Sequence, residues 1–375
     1  MPGFEIIDKK ERLAVEKIFK EGGVLFAHGF DRLRKKFHVR EFEHMFSKKF
    51  KSKYCLAVTS GTAAIKIGLK SLGVKRGDEV ITQSFNFVAT VEAIIETGAT
   101  PIIANVDKTL NIDIKDVKRL ITKKTKVILP VHMLGVAADM NAVNRLAKRH
   151  KLKVLEDNCE SIGGKYNKKF LGTLGDVGAL SFDFGKIITT GEGGMVLTNK
   201  KQFDKYAREY HDHGHENNPL FPRGRDTKKI SGFNYRMTEM QAAVGKVQLK
   251  KLDKIIKNNK KRYITLEKQL KKRFEIRKIT PLCSPIYDAF IFFVENSKLR
   301  KKIIKVLQAN GFGTKNLPDA IEWHCSAYWS HALSKKQVNH SKITKKLLSK
   351  SIAIPIWLKK SLSEYSIIGK KIKDI

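Results

Sequence analysis

One lysine of this chain stands in a setting that suits covalent chemistry. Lys186 lies in the run Ser181-Phe-Asp-Phe-Gly-Lys186-Ile-Ile-Thr-Thr-Gly-Glu-Gly-Gly194, with short apolar segments at 178–182 and 195–198 on either side. Glycine and threonine leave space where a ligand or another stretch of backbone can come close. A lysine held in such a crevice can lose part of its preference for the charged form and act as a nucleophilic amine toward carbonyl groups.

A second segment suits the binding of a phosphate. Thr59-Ser60-Gly61-Thr62-Ala63-Ala64 leads into a predicted helix. The first turn of a helix offers unpaired N–H groups and a positive dipole end to an anion, and the Thr62 hydroxyl can add a hydrogen bond. Ordinary capping of the helix would use the same residues, so both interpretations stay open.

A carboxylate follows a predicted strand at Glu156-Asp157. In enzymes that use pyridoxal phosphate (PLP), an aspartate pairs with the protonated pyridine nitrogen and keeps the ring an electron sink. The alternative is that Asp157 caps a helix.

An aromatic residue follows another predicted strand. In Gln83-Ser-Phe-Asn-Phe87, the Phe87 ring could stack on a flat cofactor or pack in the core.

The histidine-rich run His211-Asp-His-Gly-His215-Glu216 looks at first like a metal cluster. No cysteine or further histidine follows it at ligand spacing, so we predict no metal site.

Alternating helix and strand patterns between residues 52 and 199 place these motifs. Helices are predicted at 61–72, 88–96 and 140–150, and strands at 79–82, 101–105, 127–131 and 153–157. This alternation predicts a mostly parallel sheet with helices on both faces, in which ligands bind at the carboxyl ends of the strands. That rule puts one group of residues on a common rim: Gly61, Phe87, His132, Asp157 and Lys186.

The rest of the chain predicts a second, smaller unit. Residues 237–270 read as one long helix, with Asn258 as the point where a break is expected. Strands at 289–294 and 352–356 and helices at 299–309 and 341–348 suit an α+β domain. We predict a large domain over 1–255 and a small one over 256–375. The polar segment 207–231 is expected to be functional or disordered.

Composition narrows the class of protein. The 375 residues carry a formal charge of +37, but the lysines are spread along polar helix faces and no nucleic-acid-binding motif accompanies them. No apolar run approaches the roughly 20 residues of a membrane span, and the N-terminus lacks a signal pattern. The four cysteines show no paired spacing. We therefore expect a cytoplasmic protein whose partners are neither nucleic acid nor membrane.

Taken in order, these segments resemble the DegT/DnrJ/StrS family of fold-type-I, PLP-dependent sugar aminotransferases. The resemblance implies a large domain with a mostly parallel seven-stranded sheet and a smaller C-terminal α+β domain. The marks are Ser60-Gly-Thr62, Gly77-Asp-Glu-Val80, Phe85-Asn-Phe-Val-Ala-Thr90, Glu156-Asp157, Gly175-Asp176, Ser181-Phe182, Lys186, Thr190-Gly-Glu-Gly-Gly194 and Gly232-Phe-Asn-Tyr-Arg-Met-Thr-Glu239.

The resemblance also implies roles for single residues. Lys186 would link covalently to PLP, Asp157 would bind the pyridine nitrogen, and Phe87 would stack on the ring. Asn234 would reach the cofactor phosphate of a neighbouring subunit, making a homodimer with shared active sites. The remaining implied contacts are the phosphate ligands Gly61, Thr62 and Ser181, and the substrate contacts His132, Arg236 and His324.

One cofactor contact departs from the family pattern. Glu160 stands where most members have glutamine beside the phenolic oxygen of PLP. A carboxylate facing that oxygen would repel its anionic form unless Glu160 is protonated or turned away.

The implied activity is transfer of an amino group from glutamate to a keto- or aldehydo-sugar, for cell-surface polysaccharide or lipopolysaccharide synthesis. Members that remove a hydroxyl group carry histidine in place of the lysine, so Lys186 favours transfer over dehydration. A PLP-binding regulator without catalysis is the other alternative.

The kind of sugar stays open at the level of the sequence. Met1-Pro-Gly-Phe-Glu5, Asp212-His-Gly-His215 and Trp323-His324 are similar to family members that act on a free acid of the 8-oxo-3,8-dideoxy-octulosonate type. Other members act on nucleotide-linked 4-keto-6-deoxy sugars. An acid substrate would need a basic partner, for which the candidates are Arg223, Arg225 and Arg236.

Overall fold

A seven-stranded sheet forms the centre of the protein. A computed structural model describes residues 2–30, 32–218 and 220–375. The strands in chain order are β1 (Tyr54–Val58), β2 (Glu79–Gln83), β3 (Thr100–Ala104), β4 (Thr125–Leu129), β5 (Lys153–Asp157), β6 (Lys165–Tyr166), β7 (Lys169–Phe170), β8 (Val177–Ser181), β9 (Gly194–Thr198), β10 (Glu275–Ile276), β11 (Cys283–Ser284), β12 (Ala289–Phe293) and β13 (Ser351–Pro355).

The order of strands in the large sheet is β1-β9-β8-β5-β4-β2-β3. Strands β8, β5, β4, β2 and β3 run parallel, while β9 is antiparallel to both of its neighbours. The prediction of a mostly parallel sheet is confirmed. Its strands are nearly continuous apolar runs because both faces are covered.

Helices cover both faces of this sheet. The α-helices are α1 (Pro2–Glu5), α2 (Lys9–Lys20), α3 (His38–Phe50), α4 (Gly61–Ser71), α5 (Ala89–Glu96), α6 (Ile114–Leu120), α7 (Met140–Arg149), α8 (Lys201–Tyr210), α9 (Glu239–Leu270), α10 (Ser297–Ala309), α11 (Ile321–His324), α12 (Lys335–His340), α13 (Lys342–Leu348) and α14 (Leu362–Lys373). The predicted elements agree with these bounds to within two residues at each end.

Strand β1 shows how the two faces divide the core. Leu56 and Val58 join the apolar cluster that contains the α4 side chains, whereas Ala57 joins a cluster with phenylalanines of α3. Successive strand residues point to opposite faces, so one short strand anchors both helix layers.

Helix α9 links the large sheet to a second core. Its residues up to Ile255 pack beneath the large sheet, and from Tyr263 onward they pack against the small sheet of β10, β12 and β13. The break expected near Asn258 is wrong, since the helix runs unbroken for 32 residues. The Asn258 amide donates to the Lys254 carbonyl one turn earlier, at 2.9 Å, and so does not compete with the helix.

The predicted boundary at residues 255 and 256 falls within α9 and stays a prediction. Among the described residues, no helix has both the length and the apolar character needed to cross a bilayer. The polar segment 207–231 begins as the last turn of α8, and its described residues, which exclude residue 219, continue as irregular backbone with a 3-10 turn at Arg223–Arg225.

The close packing of β8 makes a stability test. A Cβ on Gly178 would lie 2.1 Å from the Gly172 carbonyl oxygen, so Gly178→Ala forces two backbones apart. We expect it to lower the free energy of unfolding by about 1–3 kcal/mol in chemical denaturation. Gly224→Ala is the control, because its Cβ would meet nothing within 4 Å. Equal stability of the two variants would contradict this packing.

Candidate active site

A cavity of about 370 Å³ opens at the carboxyl ends of the parallel strands. It lies where ligands bind in sheets of this kind. Its walls join the start of α4, the ends of β5 and β8, and residues 315–324, which lie between α10 and β13. Residues that line the cavity include Gly61, Thr62, Phe87, Thr90, Asp157, Cys159, Glu160, Ser181, Asp183, Lys186, Glu192, Lys315, Asn316 and His324.

The first turn of α4 forms one end of the cavity. Ser60 caps the helix by accepting a hydrogen bond from the Ala63 N–H at 3.1 Å. A Cβ on Gly61 would lie 2.6 Å from the Ser181 Cβ, and a Cβ on Gly194 would lie 2.2 Å from the Ser60 carbonyl oxygen. Glycine at both positions therefore lets the helix end approach β8 and β9, where its N–H groups and the Thr62 hydroxyl suit a phosphate.

Asp157 ends β5 with a buried carboxylate. Thr90 donates its hydroxyl hydrogen to Oδ2 at 2.8 Å, and the Cys159 N–H donates to Oδ1 at 3.1 Å. Both donors are neutral, so they orient the carboxylate without cancelling its charge. A cationic nitrogen entering the cavity would find a fixed negative partner there.

Lys186 and Glu160 form an ion pair inside the cavity, with Nζ and Oε1 2.5 Å apart. Burial alone would raise the pKa of Glu160, but the charges of Lys186 and Lys315 outweigh it and lower that pKa to about 2. Burial alone would lower the pKa of Lys186, but the Glu160 carboxylate raises it well above its usual range. Glu160 is thus ionised and turned toward the lysine.

Phe87 borders the cavity together with His324. The Phe87 side chain is 42% exposed and its ring centroid lies 5.3 Å from that of His324. Phe85, by contrast, is fully buried. Backbone bonds from Asn86 to His324 and from Val88 to Trp323, both 3.1 Å, hold the two segments together. Phe87 is therefore placed to contact a ligand rather than to fill the core.

The expectation that His132 lies on the rim is corrected. Its side chain is fully buried, with Nε2 2.9 Å from Glu156 Oε2 and Nδ1 accepting from the Ala138 N–H at 3.1 Å. Both ring nitrogens are used by the core, which leaves His132 no contact for a substrate.

Asn234 and Arg236 lie outside the lining of this cavity. Asn234 is exposed and pairs through its backbone with Asp212. Arg236 donates to the buried Asp212 carboxylate at 2.6 Å, and Arg223 binds the same carboxylate through both terminal nitrogens. Burial would raise the pKa of Asp212, but the two guanidinium groups and His28 hold it well below its usual range. Contact of Asn234 with a neighbouring subunit stays a prediction.

Two histidines of the run at 211–216 serve the fold of their own segment. His211 Nδ1 bonds the Arg208 carbonyl, and His215 Nδ1 lies 3.1 Å from Asp226. Across residues 2–30, 32–218 and 220–375, no group of three or more histidine, cysteine or acidic side chains is placed to hold a metal ion.

Two of the cavity residues carried no local signal in the sequence. Lys315 is buried and ion-paired with Asp288, and Asn316 follows it into the cavity wall with a left-handed φ of 66°. They reach the site from the second core, which no strand-end rule predicts. Thr90 could have been found, since it lies in a segment already singled out.

The fold and the site together define a fold-type-I transferase of the PLP-dependent class. A crystal structure of 3-amino-5-hydroxybenzoic acid synthase matches with a TM-score of 0.86 at 27% identity, covering 100% of this chain and 97% of that one. The sequence model of the DegT/DnrJ/EryC1/StrS aminotransferase family matches residues 26–373, and the chain belongs to this family.

Two sequence relatives differ in how much they share with this chain. GDP-perosamine synthase of Caulobacter vibrioides is 40% identical over 216 residues, which is 57% of each protein. A pleiotropic regulatory protein of Geobacillus stearothermophilus is 34% identical over 280 residues, or 74% of this chain and 73% of that protein. The chain thus spans less than two thirds of the synthase's length.

The ion pair gives a pH test of the site. Glu160 ionises at about pH 2 in the folded protein, below the roughly 4.3 of an unfolded chain. Its stabilising contribution is complete at neutral pH and is lost as the pH falls from about 5 toward 2. We expect the free-energy difference between the wild type and Glu160→Gln to shrink by about 2 kcal/mol between pH 7 and pH 3.

The control for this test is Asp253→Asn, which removes the carboxylate of an exposed ion pair with Lys49. Its stability difference from the wild type should stay within about 0.5 kcal/mol at every pH. A difference for Glu160→Gln that did not change with pH would mean that Glu160 is not ionised beside Lys186.

Proposed function

We propose that this protein is a PLP-dependent aminotransferase that moves an amino group from glutamate to a keto- or aldehydo-sugar. The observation that carries the proposal is one cavity that joins a half-buried, ion-paired lysine, a buried aspartate and an open helix N-terminus. The family to which the chain belongs supports the same reaction. Its product would serve cell-surface polysaccharide or lipopolysaccharide synthesis.

The cavity residues fit the cofactor by their chemistry. Gly61, Thr62 and Ser181 would hold the phosphate, and Phe87 would stack on the ring. Asp157 would face the protonated pyridine nitrogen with the carboxylate that Thr90 and Cys159 orient. When bound, PLP supplies an electron sink that weakens the C–H bond next to the transferred nitrogen.

Lys186 would transfer protons during the reaction. Its amine would link to the cofactor at rest, be released by the incoming glutamate, and then carry a proton from one carbon to another as general base and acid. The sugar half of the reaction would use the same residues in reverse.

Lys186 also argues against the dehydratase alternative, because it occupies the position where members that remove a hydroxyl group have histidine. The regulator alternative is favoured by the similarity to the pleiotropic regulatory protein of Geobacillus stearothermophilus. A product assay separates all three functions: amine on the sugar, loss of oxygen without amine, or no change in the sugar.

The sugar would be either nucleotide-linked or a free acid. Similarity to GDP-perosamine synthase supports a nucleotide-linked 4-keto-6-deoxy sugar. The cluster at Asp212 supports an acid of the 8-oxo-3,8-dideoxy-octulosonate type, since Arg223 and Arg236 together outweigh one carboxylate. Arg225, in the same turn, is exposed.

A homodimer with shared sites would bring the Asp212 cluster and Asn234 to a neighbouring cavity. Exposed apolar side chains on the two segments around this cluster support contact with a second copy of the chain. They are Leu25, Phe30, Leu33, Leu220, Phe221 and Phe233.

Replacement of the lysine tests the reaction. Lys186→Ala should abolish turnover and the absorbance band at about 420 nm that reports the covalent lysine–PLP link, because the other lysine of the cavity lining, Lys315, is held in an ion pair with Asp288. Lys201→Ala, at the exposed start of α8, is the control and should keep both. Turnover by Lys186→Ala at the wild-type rate would refute the mechanism.

A substrate screen with glutamate tests the sugar. If the acid is aminated, Arg223→Gln should raise its KM about tenfold or more, the cost of one charged hydrogen-bonding partner. Arg225→Gln removes the same charge from the exposed neighbour and should leave KM unchanged. Amination of the nucleotide-linked sugar alone, with the same KM for that sugar in the two variants, would exclude the acid as the substrate.

A further inference from the structure

The contact between Lys186 and Glu160 has a consequence for how the lysine becomes reactive. Their side chains are 17% and 9% exposed, and 2.5 Å separates Nζ from Oε1. A lysine in an ion pair is an ammonium group, which has no lone pair and cannot attack a carbonyl carbon. One proton must therefore leave Nζ before Lys186 can react with any aldehyde.

The backbone fixes Glu160 in its place beside the lysine. Glu160 follows the end of β5, and its carbonyl oxygen accepts from the Gly135 N–H at 3.1 Å. The next residue, Ser161, donates its hydroxyl hydrogen to the His132 carbonyl at 2.5 Å. Glu160 thus lies on a turn that is hydrogen-bonded to the loop after β4 through both Glu160 and Ser161. These two bonds hold the carboxylate beside Lys186.

Other charged groups around the pair influence which of the two side chains holds the proton. The ammonium of Lys315 and the ring of His324 lie on the cavity wall formed by residues 315–324, and both favour the ionised form of Glu160. The carboxylate of Asp183 acts on Lys186 from the same turn and favours the ammonium. The titratable groups that line the cavity near the pair are Asp157, Cys159, Asp183, Glu192, Lys315 and His324.

We propose that Glu160 is the proton acceptor for Lys186, taking the ammonium proton when the amine must react and returning it when the amine is released. The proposal rests on the function proposed above. The transfer converts an ammonium and a carboxylate into a neutral amine and a carboxylic acid. The pair carries one titratable proton before and after the transfer. Its net charge therefore does not change, and no proton has to be exchanged with water.

This internal transfer predicts how pH acts on cofactor capture. From about pH 5 to 9 the pair keeps one titratable proton, so the part of the protein that reacts by internal transfer does not change with pH. Without the carboxylate, Lys186 must lose its proton to solvent, and the reactive fraction rises about tenfold per pH unit below its pKa.

The test is the rate at which cofactor-free protein captures PLP, followed by absorbance between pH 6 and 9. Dividing the rate of Glu160→Gln by that of the wild type cancels the ionisation of PLP itself. We expect this quotient to rise at least tenfold from pH 6 to pH 9. Glu160→Asp, which keeps a carboxylate, should bring the quotient back toward a constant value.

A quotient for Glu160→Gln that stays constant within about twofold would overturn the proposal, since Lys186 would then lose its proton by the same route in both proteins. Asp253→Asn serves as a control for surface charge and should match the wild type at every pH. Failure of the wild type to capture PLP at all would instead refute the proposed function, so the two failures are distinguishable.

Discussion

The candidate active site depends on the close approach of α4 to strands β8 and β9. Side chains on Gly61 and Gly194 would collide with Ser181 and with the Ser60 backbone, and only hydrogen at these two positions allows the contact. The contact brings the positive end of the helix dipole to the strand ends, where β5 delivers Asp157 and β8 leads to Lys186. Without it, the N-terminus of α4 and Lys186 would lie in separate places.

The charges of the cavity follow from this arrangement. Asp157 is oriented by neutral donors, while Glu160 is paired with Lys186 at close range. Asp157 and Glu160, three residues apart, thus have different surroundings, because Asp157 faces the cavity and Glu160 faces the ammonium of Lys186. The difference comes from their neighbours and not from their own chemistry.

Sequence patterns predicted the large sheet because its strands are buried runs and its helices are amphipathic, and each pattern is local. Gly61, Phe87, Asp157 and Lys186 could be placed on one rim for the same reason. His132 also follows a strand, but the loop turns it into the core toward Glu156, and side-chain direction is not a local property. The break expected at Asn258 failed because its amide bonds back into its own helix.

Contacts between distant parts of the chain could not be predicted in this way. The pairing of Glu160 with Lys186 depends on how two turns face each other, and Asp212 meets Arg223 and Arg236 through an irregular segment. Lys315 and Asn316 reach the cavity only because the second core packs beside the first. Such residues are specified by tertiary structure, for which a single sequence offers no periodic signal.

The backbone of Lys315 is bonded to Ala353 of β13, and Ala353 is bonded in turn to Leu317. The cavity wall that carries Lys315 and Asn316 is thereby an extension of the small sheet, while Asp157 and Lys186 belong to the large one. Replacements in this wall can reshape what the cavity admits while the large sheet keeps the backbones of Asp157 and Lys186 in place. A fold divided in this way can diversify. The large sheet keeps the strand-end residues, while substitutions in the wall attached to the small sheet change which substrates the cavity selects.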